Sequence, residues 1–224
     1  MQIKIDRLIR SQRKTIAILV QNDGKVVVRA PLFVSETRIQ KFVDLKKDWI
    51  TTQQKKAYSR RGPLHQFKEG ELFLFLGREI PLKLIESEDG TLTLGKSFLL
   101  NRSVTGKAEQ VFTRWYQTQA RQIFTKRVNF FARKFGFSHG RIRLSSARTR
   151  WGSCSSKGTL SFTWRLVMAP ADVIDYVIIH ELVHLEIQNH SRAFWQRVGE
   201  ILPEYKEKRK WLKNNGIKLT LGDH

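Results

Sequence analysis

His180-Glu181-Leu182-Val183-His184 places two histidines four residues apart, with a glutamate directly after the first. On an α-helix of about 3.6 residues per turn both imidazoles leave from one face, where together they can bind one metal ion. The carboxylate beside the first can then reach a water on that metal. The stretch from about Ala171 to Gln188 is apolar almost all round, with Val173, Ile174, Val177, Ile178, Ile179, Leu182 and Val183, which predicts a buried helix. Imidazoles and a carboxylate taken out of water need a compensating partner, and a metal ion is one.

The five-residue pattern also arises by chance, so a third ligand decides its meaning. His190 lies ten residues after His180, just past the expected helix end, where Asn189 would let the chain turn back. It is the leading candidate. Glu200, on the next expected helix from Ser191 to about Ile201, is its rival, because a glutamate from a following helix completes the site in some zinc peptidases. Glu186 lies about 200° round the helix from His184 and points away. Cys154 is the remaining sulfur, better read as a small buried residue at a tight turn. Three neutral imidazoles with an open fourth position would leave a metal-bound water whose pKa falls to about 7. Glu181 would take its proton during attack on a carbonyl and return one to the leaving amine, which is metal-assisted amide hydrolysis. A structural zinc site is usually closed by a fourth protein ligand and needs no such carboxylate. Zinc leads, with nickel and cobalt also suited to imidazole. Arg192, Trp195 and Tyr205 are candidate donors to the oxyanion.

The elements that must hold these groups are legible in outline. Residues 14–21 and 25–31 flank Asn22-Asp23-Gly24 in a hairpin pattern, and Pro31 ends the second strand. One helix is expected from Ser35, its N-cap, to about Lys56, with Ile39, Phe42, Val43, Trp49 and Ile50 near helical spacing. Residues 58–70 read as a loop. Strand-like alternation returns at 71–77, 79–86 and 91–95, with a turn at Asp89-Gly90, and residues 95–106 read as a connection. A long helix follows from Lys107 to about Lys134, its apolar side drawn through Val111, Trp115, Ile123, Phe124, Val128, Phe131 and Phe135. Strands at 141–147 and 159–167 enclose a turn at 151–158, and Pro170 opens the histidine-bearing helix. The fold class is α+β, with a β-rich N-terminal domain over 1–100 and a second domain over 101–224.

Charge is uneven along the chain. The 224 residues carry 41 Lys+Arg against 20 Asp+Glu, a net of +21. Residues 101–150 hold twelve basic side chains and one acidic one, Glu109. Nucleic acid or another polyanion is therefore a candidate partner, with the metal site then structural or vestigial. Aromatics interleaved with the basic residues of the long helix could stack on bases, although they fall where a core helix would bury them. The single cysteine excludes a disulfide framework within the chain and points to the cytoplasm. The N-terminus lacks a signal-type apolar segment, and no apolar run approaches the roughly 20 residues of a membrane span.

Arg150-Trp151-Gly152-Ser153-Cys154-Ser155-Ser156-Lys157-Gly158, then Trp164-Arg165-Leu166, Val177-Ile178-Ile179-His180-Glu181-Leu182-Val183-His184, Asn189-His190-Ser191 and Phe194-Trp195 together carry a family resemblance. The chain resembles the YgjP-like family of predicted metallopeptidases and is more distantly similar to the SprT-like and WLM zincins. The resemblance implies a zincin-like second domain: a supporting helix, a small sheet whose edge strand can hold an extended peptide, an active-site helix and a following helix. It implies His180, His184 and His190 as metal ligands, Glu181 as general base and a peptide or protein as substrate. Metzincins have a glycine where this chain has Ile187, and they place a Met-turn after the third histidine, whereas no Met follows Met168 here. Some SprT-like proteins act on DNA-bound proteins, so a basic face could deliver a peptidase to its substrate. Hydrolysis of a non-peptide amide would use the same groups. Arg150 to Cys154 would shape the rim of the cleft, or simply close the sheet, with Gly152 allowing a tight turn.

Overall fold

Val26, Val28 and Ala30 alternate along one strand and are fully buried, which sets that strand at the centre of a small sheet. The computed structural model describes residues 3–21, 24–59, 64–86 and 92–222. The strand is β3 (Val26–Pro31), with β1 (Arg7–Ser11) parallel on one side and β2 (Ala17–Val20) antiparallel on the other. The β2–β3 hairpin is the one its sequence implies, although Asn22 and Asp23 lie outside the described residues; β1 carries no comparable signal. Two helices follow, α1 (Glu36–Leu45) and α2 (Lys47–Ser59), where periodicity alone suggests one. Ser35 caps α1, its hydroxyl accepting from the Arg38 amide, and the break falls at Lys46. Ile39, Val43 and Ile50 are buried with the β3 valines, whereas Trp49 is exposed.

This first compact unit ends at Pro63, and residues 64–221 form a second. Strand-like alternation up to residue 95 groups residues 64–100 with the N-terminal strands. Their side chains instead share one core with the C-terminal part. Strands β4 (Leu72–Phe75), β5 (Arg78–Ile85), β6 (Leu92–Leu94) and β7 (Phe98–Asn101) make a sheet in the order β4-β5-β7-β6. The turn expected at Asp89-Gly90 lies outside the described residues, and β7 replaces part of the expected connection. Helix α3 (Ala108–Phe135) packs against this sheet through Phe112, whose ring stacks on Phe73 at 4.3 Å. The Tyr116 hydroxyl donates to the Leu74 carbonyl at 2.6 Å. Phe112, Tyr116, Phe124 and Phe131 of α3 are buried in the core, whereas Phe130 is exposed.

A third sheet has the order β8-β10-β9, from β8 (Ile142–Ser145), β9 (Gly152–Cys154) and β10 (Leu160–Thr163). β8 and β10 are parallel, and β9, inside the expected turn, runs antiparallel along the outer side of β10. β10 ends at Thr163, and a buried 3-10 turn over Trp164–Met168 replaces the expected strand continuation. That turn feeds α4 (Ala171–Val183), which is joined to α3 by a bidentate ion pair between Arg127 and Asp175. Helices α5 (Arg192–Ile201) and α6 (Tyr205–Asn215) complete the unit. No helix among the described residues is long and apolar enough to cross a membrane.

Candidate metal centre

Helix α4 stops at Val183, short of the Gln188 its apolar run suggests, and His184 is its C-cap with φ −64° and ψ −15°. Those near-helical angles preserve the four-residue relation between His180 and His184. Beyond the cap, Leu185 and Ile187 donate to the carbonyls of Leu182 and Val183, which bends the chain back over the helix end. The Asn189 side chain accepts from the Ser191 amide at 3.2 Å, and Ser191 in turn caps α5 by accepting from Phe194. Asn189 thus turns the chain with its side chain; its φ is not positive.

The result brings three imidazoles together. His190 Nε2 lies 3.0 Å from His180 Nε2 and 3.2 Å from His184 Nε2. Two nitrogens bound at about 2.05 Å to a tetrahedral ion lie about 3.3 Å apart, close to both distances. His184 Nδ1 is 3.0 Å from the Ile187 carbonyl, so its proton sits there and its Nε2 offers a bare lone pair. Nitrogen lone pairs this close need positive charge between them. A proton is a poor choice, because burial, then the neighbouring His184, His190 and Arg209, push His180 down to about 3. Burial and the neighbouring His184 and Arg209 lower His190 as well. The donor set fits one divalent metal ion, and the three rings form the only group of this kind among the described residues.

Phe194, fully buried, lies beneath all three rings with centroids at 4.5–4.9 Å. Glu181 is 4% exposed, and its Oε2 has no hydrogen-bond partner. Burial raises its carboxyl to about 8 against the opposing pull of Arg150. The reason for Gly152 is now visible: a Cβ there would lie 2.5 Å from Glu181 Oε1 and 2.7 Å from its Cγ. β9 therefore closes directly over the carboxylate, and the Arg150–Cys154 segment is part of the site's wall. Trp151 is fixed by its carbonyl, which accepts from the Thr163 amide at 3.0 Å. A cleft of about 330 Å³ over His180 and Glu181 is lined by Trp151, Gly152, Tyr176 and Arg209 among others.

The rival ligands are engaged elsewhere. Glu200 accepts from Gln196 and Arg197, and Glu186 also pairs with Arg197. The Cys154 thiol points to the Ser155 carbonyl, and burial, then the Glu181 charge, push it up. Of the candidate oxyanion donors, Trp195 stacks on His190 and Tyr205. Arg192, Trp195 and Tyr205 line a wider cleft beside the histidines. Two residues of the site were not singled out from sequence. Tyr176, one turn before His180 on the same face of α4, could have been found from spacing. Arg209 comes from α6 and could not.

Groups of these kinds, in this order along the chain, are those of a metallopeptidase. The YgjP-like metallopeptidase domain matches residues 14–215, and the chain belongs to that family. Among solved structures it is similar to the metallopeptidase zymogen of Methanocaldococcus jannaschii jannalysin, at 20% identity and TM-score 0.37, covering 41% of this chain and 94% of that one. It is also similar to the zymogen of Pyrococcus abyssi abylysin, at 24% identity and TM-score 0.32, covering 45% of this chain and 92% of that one. Comparison with curated proteins finds no match.

Proposed function

We propose that the chain is a zinc-dependent peptidase in which His180, His184 and His190 hold the metal and Glu181 is the general base. The observation that carries this reading is the convergence of three Nε2 atoms beside a buried, unpartnered carboxylate. When bound, zinc supplies Lewis acidity to the scissile carbonyl and acidifies a water toward neutral pH. The remaining work falls to the chain. Glu181 Oε2, with its lone pairs uncommitted, takes the proton of the attacking water and delivers it to the leaving nitrogen. Burial keeps that carboxyl from being a weak base, and the cation held by the histidines pulls in the opposite direction, toward a value near the working pH. β9 is an outer strand of its sheet, so its free edge can pair with an extended peptide and lay a scissile bond across the cleft. Tyr176, whose phenol burial first of all pushes up to about 12, stays protonated and is a donor within the same cleft.

Elemental analysis of the wild type should give about one zinc per chain, kept in Glu181→Gln and lost in His190→Ala. Glu181→Gln should lower peptide turnover at least about 10²-fold, the usual worth of a general base. A wild type that takes up no metal on zinc reconstitution, or turnover unchanged in Glu181→Gln, would overturn the reading.

A further inference from the structure

Helix α6 carries Lys206, Arg209, Lys210 and Lys213 at positions i, i+3, i+4 and i+7, the spacing that puts four side chains on one helical face. All four are exposed. With Arg192, from the first turn of α5, the four cations line a cleft of about 1280 Å³ whose other walls are Trp195, Gln196 and Tyr205. No acidic residue lines it, and none of the five cations forms an ion pair with a described carboxylate. The neighbouring Lys208, on another side of α6, does pair, with Asp172 at 2.8 Å. Like charges three and four residues apart repel one another, so the stripe is a feature that a bound anion relieves.

The cleft leads into the candidate metal centre. Arg209 and Lys213 line both it and the smaller cleft over His180 and Glu181. The Arg209 guanidinium sits 4.8 Å above the Trp195 ring, which holds it in place without neutralising it. Trp195 is at the same time stacked on Tyr205 at 5.5 Å and on His190 at 5.6 Å. Its indole is committed within the protein, which leaves charge, and not base stacking, as the means of recognition here.

We propose that this α5–α6 cleft is a subsite for acidic peptide segments, so that the chain selects substrates carrying Asp or Glu side chains beside the bond it cuts. Same-face side chains of an extended peptide recur about every 6.6 Å, close to the roughly 5–6 Å between helical residues three or four apart. Alternate acidic residues can therefore meet successive cations of α6. The inference rests on the peptidase reading for its consequence, but not for its binding.

Binding and cleavage separate the two. Full-length Glu181→Gln protein, reconstituted with zinc, is titrated by fluorescence anisotropy with a labelled decapeptide of alternating Glu and Ala and with its Gln counterpart. The Glu peptide should bind about tenfold tighter or more at low salt. The advantage should shrink at higher salt and disappear in Lys206→Ala/Lys210→Ala, two exposed positions whose loss leaves the core intact. Equal binding of the two peptides, or an advantage unchanged in the double variant, would overturn the subsite. So would a single-stranded oligonucleotide of equal charge that displaces the Glu peptide more effectively than unlabelled peptide does. Wild type is then given both peptides. Cleavage of both at equal kcat/KM overturns the subsite and leaves the peptidase standing. Selective binding of the Glu peptide without cleavage of any peptide overturns the peptidase and leaves the subsite standing.

Discussion

A methyl group at Gly152 would fall 2.5 Å from one carboxylate oxygen of Glu181 and 2.8 Å from its Cδ, so a single added carbon tests whether that carboxylate can move. In Gly152→Ala either β9 lifts or Glu181 swings aside, and overpacking of this kind costs about 1–3 kcal/mol. The expected outcome is a lower Tm, zinc content close to wild type, and peptide turnover reduced at least about tenfold, since a misplaced base loses more than a strained backbone does. Metal analysis and kinetics on one preparation check it; unchanged turnover would show that Glu181 tolerates displacement. His180, Glu181, His184 and His190 were legible in the sequence because helical periodicity fixes the first three and a short chain reversal fixes the fourth. The closeness of Gly152 to Glu181 and the place of Arg209 were not, because each depends on a side chain brought near by tertiary packing. Glu200 is the instructive rival: its spacing allowed it, but Arg197 sits within reach and takes it.

Helices and strands are the next scale, and there α4 is held at its start by an unusual contact. The β4–β5 turn reaches over so that the amides of Leu76 and Gly77 donate to the carbonyls of Val167 and Met168, both at 3.0 Å. Gly77 has φ +78°, and a Cβ there would meet Pro170 Cα at 2.9 Å, backbone that cannot yield cheaply. Gly77→Ala should therefore destabilise the fold by about 1–3 kcal/mol or more, read as a lower denaturant midpoint. Zinc affinity should fall with it if the α4 N-terminus shifts. The loop before β4 is tied differently, by Glu71, whose carboxylate accepts from the Gln66 and Lys68 amides and faces His65 at 2.8 Å. Partial burial works against the charged form, yet these hydrogen bonds hold the carboxyl below its ordinary 4.5. A depressed carboxyl stabilises the fold above its unfolded value and loses that contribution as pH falls through its folded value. The stability difference between wild type and Glu71→Gln should be full above about pH 4.5 and close below it; a constant difference across that range would refute the tie. Sequence periodicity missed these contacts for a physical reason also visible in α3. Its buried residues Ala108, Phe112, Tyr116, Ala120, Phe124 and Val128 step by four, so the buried face rotates along the helix as its neighbours change. A single apolar stripe drawn through Val111 and Trp115 captures only part of it.

At the scale of the whole molecule, composition and compactness divide the chain at different places. Strand-forming residues run on to about residue 100, yet Phe73 stacks on Phe112 at 4.3 Å and Phe98 meets Trp115 edge-on at 5.0 Å, which welds β4–β7 to α3. Contacts at that separation in sequence leave no local trace, which is why a boundary at 100 looks natural from composition and the compact unit begins at Leu64. The consequence is testable. Among the described residues, those that pack around the histidines, from Trp151 and Gly152 through Phe194 to Arg209, lie within residues 64–221, and so does the core that supports them. A domain of about 150 residues buries enough surface to fold alone. A fragment of residues 64–221 should therefore unfold cooperatively in denaturant and bind zinc with the same stoichiometry as the full chain, whereas a fragment of residues 101–221, cut inside that core, should do neither. If the shorter fragment bound zinc as well as the longer one, the β4–β7 sheet would be dispensable for the site, and the division read from composition would be the functional one.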